Sequence, residues 1–117
     1  MMKSLIWVFI GGGAGSMLRF ALSKWFNGTS FPYGTLLANV LASFLLGYLI
    51  SKNVQSNETL RWLVAVGFCG GFSTFSTFSL ESFKYLQAGS YAMAIGHIVA
   101  NFSLCLAAIV IAYMLNK

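Results

Sequence analysis

Apolar residues fall in four long runs, about residues 4–25, 33–51, 60–86 and 91–115, each near or above the ~20 residues that cross a hydrocarbon core. Between them lie Asn27-Gly28-Thr29-Ser30-Phe31-Pro32, then Ser51-Lys52-Asn53 through Asn57-Glu58, then Gln87-Ala88-Gly89-Ser90, all rich in turn-forming residues. The pattern predicts an all-α membrane protein of four transmembrane helices, one domain over 1–117, and connections this short make successive helices antiparallel. The first run follows Met1-Met2-Lys3 as the apolar core of a signal peptide would. It continues through Gly11-Gly12-Gly13-Ala14-Gly15-Ser16 to Phe26, long enough to span, and is read as a retained first helix.

Composition removes the soluble alternative. Only 8% of residues are charged while 58% are hydrophobic, against roughly a quarter charged in a soluble domain, so the solvent is membrane lipid. The seven Lys and Arg residues are scattered singly, with no run to track a phosphate backbone, so nucleic acid is not an expected partner. Cys69 and Cys105 both sit inside apolar runs and predict neither a disulfide framework nor a zinc site.

Charge changes the picture in another way. Lys3, Lys52, Arg61 and Lys117 belong with the termini and the middle loop, and Arg19, Lys24 and Lys84 with the other two loops. Because Lys/Arg asymmetry sets the direction of insertion, so even a division leaves two readings. Either one loop residue decides, or copies insert both ways and pair about a twofold axis in the membrane plane. Four helices pack around filled side chains, so a transport path calls for the pair.

Polar positions interrupt the apolar runs in a periodic way. Thr35, Asn39 and Ser43 recur every four residues on the second helix, either as glue between helices or as the lining of a pathway. The third segment carries Gly67-Phe68-Cys69-Gly70-Gly71-Phe72-Ser73-Thr74-Phe75-Ser76-Thr77-Phe78-Ser79 at mid-membrane depth, where so many poor helix formers predict a break. Non-helical backbone at that depth must be buried or line a cavity, and freed carbonyls suit a hard cation. The other reading of Gly70 and Gly71 is close helix packing.

Beyond the glycines, Phe72, Phe75 and Phe78 form one stripe and Thr74, Thr77 and Glu81 a second beside it. Aromatic rings have positive edges, which together with the Ser76 and Thr77 hydroxyls could contact an anion without a fixed cation; a plain lipid-facing stripe is the alternative. His97 and Asn101 lie four apart in the last segment, and Ser103 on another face. Arg19 lies well inside the first segment, where it must snorkel or face an aqueous vestibule. Gly11 and Gly15 suit close helix contact.

The long third-segment motif, with the Gly11 to Ser16 run, Arg19 and Gly34-Thr35-Leu36-Leu37-Ala38-Asn39, resembles the Fluc/CrcB fluoride channel family over the whole chain. That resemblance implies a dual-topology antiparallel homodimer in the cell (inner) membrane that exports fluoride ion passively, without enzymatic activity. It implies two fluoride pathways lined by Phe75, Phe78, Asn39, Ser76, Thr77 and Ser103, with Arg19 in a vestibule. It also implies a structural sodium ion at the dimer interface, held by the backbone carbonyls of Gly70 and Ser73 from both copies. Two rivals predict different behaviour. A proton-coupled exporter of the small multidrug resistance type would need a membrane carboxylate, and only Glu81 could serve. A non-transporting assembly subunit would use its polar stripes only as glue.

Overall fold

In the computed structural model, residues 1–27, 31–53 and 56–116 are described. Gly28, Thr29, Ser30, Val54, Gln55 and Lys117 lie outside the described residues, and with them parts of the first two expected turns and one cation of the charge count. The described residues are helical, with no strand among them. Helix α1 runs Met2–Phe26 and α2 Tyr33–Ser51. The third span begins with α3, Glu58–Leu60, continues as a π-helical segment, Arg61–Phe68, and then as α4, Cys69–Phe72. After two extended residues it resumes as α5, Phe75–Gln87, and the chain ends in α6, Tyr91–Asn116.

These elements make four spans long and apolar enough to cross a membrane: Met2–Phe26, Tyr33–Ser51, Glu58–Gln87 and Tyr91–Asn116. The molecule measures 47 × 31 × 22 Å, and its long axis is close to the ~40–45 Å of a bilayer with its headgroups. The turn from α5 into α6 reverses the chain in three residues. Gly89 takes φ +76°, a conformation that a Cβ disfavours, and the Gly89 and Ser90 amides bond the Leu86 and Tyr85 carbonyls to close the helix end.

Packing is the inverse of a soluble bundle. Phe9, Met17, Trp25, Ile95, Leu106 and Leu115 face outward, while the buried positions are Gly, Ala, Thr, Ser, Asn and His together with a few larger apolar residues. Lipid tails are as apolar as leucine, so nothing drives large aliphatic groups inward, and helices associate by close contact and hydrogen bonding instead. Ala38, Ala42, Cys69 and Phe72 form the buried apolar cluster, flanked by Leu22, Leu45, Leu46 and Phe68.

The crossing of α1 with the third span is the tightest contact. A Cβ on Gly11 would strike the Leu63 carbonyl, and one on Gly15 would meet the backbone of Phe68 and Phe72. The two backbones touch because α1 carries no side chain at Gly11 or Gly15. Gly13, on the same helix, has nothing within 4 Å of a built Cβ. Gly15→Val therefore forces the helices apart and is expected to cost about 1–3 kcal/mol as an overpacked core does. Gly13→Ala should leave stability unchanged or raise it by about 0.5–1 kcal/mol. Thermal unfolding of the two variants in detergent checks the contrast.

Candidate functional site

The site begins where the third span stops being helical. In an α-helix the Thr74 N–H would bond the Gly70 carbonyl one turn back. Here it donates instead to Asn39 Oδ1 on α2, at 2.9 Å. Ser73 and Thr74 are extended, with ψ 157° and 127°. Thr74 then caps α5, its Oγ1 accepting the Thr77 N–H at 3.2 Å. That N–H is the ladder partner Ser73 would have had, so the Gly70 and Ser73 carbonyls are the two whose helical donors are engaged elsewhere. The Gly71 carbonyl accepts from Arg19 Nε at 3.1 Å.

The interruption thus leaves two helix ends facing each other at membrane depth. The C-terminal end of α4 presents carbonyl oxygens and partial negative charge, and the N-terminal end of α5 presents N–H groups and partial positive charge. The glycines do not unwind: Gly70 and Gly71 lie within α4, and Gly67 within the π-helical segment. Gly67 and Gly71 serve contact, since a Cβ on Gly71 would strike the Gly12 carbonyl of α1 and one on Gly67 would meet the Val8 carbonyl.

An open cleft of about 220 Å³ adjoins the start of α5, lined by Asn39, Ser43, Ser73, Thr74, Phe75, Phe78, Asn101, Phe102 and Cys105. Phe75 and Phe78 stand 5.7 Å apart between centroids with their planes 47° apart. Phe78 is buried and meets Phe102 edge-on, 5.9 Å and 77°, whereas Phe75 is 71% exposed. A second cavity of about 180 Å³ lies toward α4, lined by Ala42, Ser43, Leu46, Ala65, Cys69, Gly70 and Ser73. Gly70 has nothing within 4 Å of a built Cβ, so there is open space where its side chain would be.

A chain of polar contacts leads away from the cleft into the bundle. Asn39 Nδ2 donates to Asn101 Oδ1 at 2.9 Å, and Asn101 Nδ2 lies 3.1 Å from His97 Nδ1. His97 Nε2 stands 3.2 Å from Glu81 Oε1, close but off the line of a good hydrogen bond, and among the described residues neither atom has another partner. Glu81 Oε2 accepts from the Thr35 hydroxyl at 2.9 Å and from Asn27 Nδ2 at 3.2 Å. Asn27 Oδ1 in turn accepts the Gly34 and Thr35 amides at the start of α2. Glu81 is therefore turned toward the α1–α2 junction and is not part of the cleft lining.

The structure brings some of the expected residues together and separates others. Asn39, Phe75 and Phe78 share the first cleft, and Gly70 and Ser73 share the second cavity. Ser76 is exposed, 3.3 Å from Thr74 Oγ1 and outside the cleft lining, and the half-buried Thr77 is outside it too. Ser103 is exposed and turns its hydroxyl back to the Val99 carbonyl at 2.5 Å. Arg19 neither snorkels free nor stands alone, since its guanidinium is engaged on Gly71. Asn101 and Phe102 join the site from α6. Their sequence signals were an amide four residues beyond His97 and an aromatic beside it, but only the packing of α6 on α2 and α5 puts them opposite Asn39 and Phe78.

Comparison with known proteins shows the family. The family model described as "CrcB-like protein, Camphor Resistance (CrcB)" matches residues 6–113. The chain is 41% identical over 113 residues to a Koribacter versatilis protein named "Fluoride-specific ion channel FluC", covering 92% of this chain and 90% of that one. A protein of the same name from Leptospira interrogans is 47% identical over 102 residues, covering 82% and 80% of the two chains. One from Serratia proteamaculans is 42% identical over 120 residues, covering 98% and 94%. With four spans able to cross a bilayer and near full-length similarity to ion channels, this chain is a multi-pass membrane protein that belongs to the CrcB family.

Proposed function

We propose that two copies of the chain, inserted in opposite directions, form a homodimer that lets fluoride leave the cytoplasm passively. The observation that carries the reading is the first cleft, where two amides, three hydroxyl residues and three phenylalanines surround the N-terminal end of α5. The cleft is open on the protomer's side, and Phe75 and Ser76 are left exposed beside it, positions that a second copy would cover. Relatives named fluoride-specific ion channels, similar over nearly the whole chain, point the same way.

The chemistry follows from what fluoride requires. It is small and strongly hydrated, so a path must offer close donors, yet a fixed cation in the path would hold it too tightly to release. The Asn39 amide, the hydroxyls of Ser43 and Thr74, aromatic edges and the positive end of α5 supply attraction without a full charge. HF crosses lipid uncharged and ionises in a more alkaline cytoplasm, so F⁻ accumulates there until it has a route. An interior-negative potential then drives it outward by about 2.3 kcal/mol per 100 mV, without coupled energy. No bond is made or broken, and the protein is not an enzyme.

The carbonyls of Gly70 and Ser73 fit a structural sodium ion, because both have lost their helical donors and both border the second cavity. A hard cation there would offset the negative end of α4 and tie the interruption to its counterpart in the other copy. The even division of Lys and Arg between the two sides gives the chain little preference for one direction of insertion, which favours the antiparallel pair.

Fluoride efflux from liposomes holding the purified protein tests the pathway. Fluoride should leave far faster than chloride, and Phe75→Ile and Phe78→Ile should each lower the fluoride rate by about tenfold or more, a loss of about 1.4 kcal/mol of barrier stabilisation. Equal halide rates, or two variants as fast as the parent, contradict it. Replacing sodium by a large organic cation throughout purification and assay should slow fluoride efflux or separate the two copies, and indifference to that exchange contradicts the carbonyl site.

A further inference from the structure

The polar chain behind the cleft has a direction, and two backbone groups fix it. The Thr74 N–H can only donate, so Asn39 must turn its oxygen to Thr74 and its NH₂ to Asn101. The His97 carbonyl can only accept, and Asn101 Nδ2 lies 2.9 Å from it, so Asn101 must turn its NH₂ toward His97 and its oxygen toward Asn39. The two ends are set independently and they agree.

Asn101 then has one N–H for the His97 carbonyl and one for His97 Nδ1, 3.1 Å away. That ring nitrogen must accept, which leaves the ring proton on Nε2, facing Glu81 Oε1. The donors of Thr74, Asn39 and Asn101 all point the same way, and the chain ends at His97 beside a carboxylate whose other oxygen is already held by Thr35 and Asn27. Asn39 spends one of its two amide hydrogens on Asn101. The other has no protein partner among the described residues, on a side chain that lines the cleft.

We propose that Asn101 is the positioning residue of the cleft: it locks the Asn39 amide with a spare N–H available to a passing anion, and it holds His97 as the neutral tautomer with its proton on Nε2, the nitrogen nearest Glu81. The anion half of this rests on the fluoride reading; the hydrogen-bond direction does not. Neither His97, 0% exposed, nor Asn101, 5% exposed, needs to touch the ion for this role.

The chain has a single histidine, so ¹⁵N-histidine labelling reports His97 alone. Protein in lipid vesicles at neutral pH should show Nδ1 unprotonated and Nε2 protonated. An Nδ1–H tautomer or a doubly protonated ring overturns the proposal, whatever any variant does. In Asn101→Leu, which can neither donate to Nδ1 nor accept from Asn39, the single tautomer should give way to a mixture and sodium fluoride efflux should fall about tenfold. A folded variant with the parent tautomer or the parent efflux rate overturns it as well. If the parent protein passes no fluoride yet holds the Nε2–H tautomer, the fluoride reading fails and the directed chain stands.

Discussion

One side-chain oxygen organises this molecule. Asn39 takes the Thr74 N–H that a continuous helix would have given to Gly70, and the third span stops and restarts around that bond. An unpaired peptide group at membrane depth costs several kcal/mol, so an interruption persists only where something replaces the lost bonds. Asn39 takes up the Thr74 N–H, Thr74 Oγ1 the Thr77 N–H, and Arg19 the Gly71 carbonyl. The result is a negative helix end and a positive helix end facing each other across two extended residues. Proposed sites for a cation and an anion follow from one local event.

The rest of the bundle holds that event in place. Gly71 can lie on the Gly12 carbonyl, and Gly15 on the backbone of Phe68 and Phe72, only because no side chain intervenes, so α1 clamps the span just before it unwinds. On the other side, the polar chain from Asn39 through Asn101 and His97 to Glu81 ties α2, α6 and α5 together and continues to Asn27 at the end of α1. Backbone contact on one side and directed hydrogen bonds on the other leave the middle of the third span little freedom to heal into a regular helix.

Much of this was legible in the sequence, for reasons that also mark where it stopped. The four spans begin and end within about two residues of the apolar runs, because bilayer thickness sets their length and turn chemistry their ends. The π-helical character of Arg61–Phe68 left no trace in the periodicity. The extended residues are Ser73 and Thr74, not the glycines that composition singled out, since the cause is a side chain on another helix and not local propensity. Spacing put Asn39 on one polar face and Asn101 on another, but only the packing of α2 on α6 makes them partners. Ser103, two residues on, points elsewhere for the same geometric reason.

The central claim is that the Asn39 amide both interrupts the third span and presents a donor to the ion. Fluoride efflux from liposomes carrying Asn39→Leu tests it most directly, because leucine fills a similar volume and can do neither. The account predicts efflux near that of protein-free liposomes, with no remaining response to sodium. A folded Asn39→Leu protein that passes fluoride at the parent rate would contradict it.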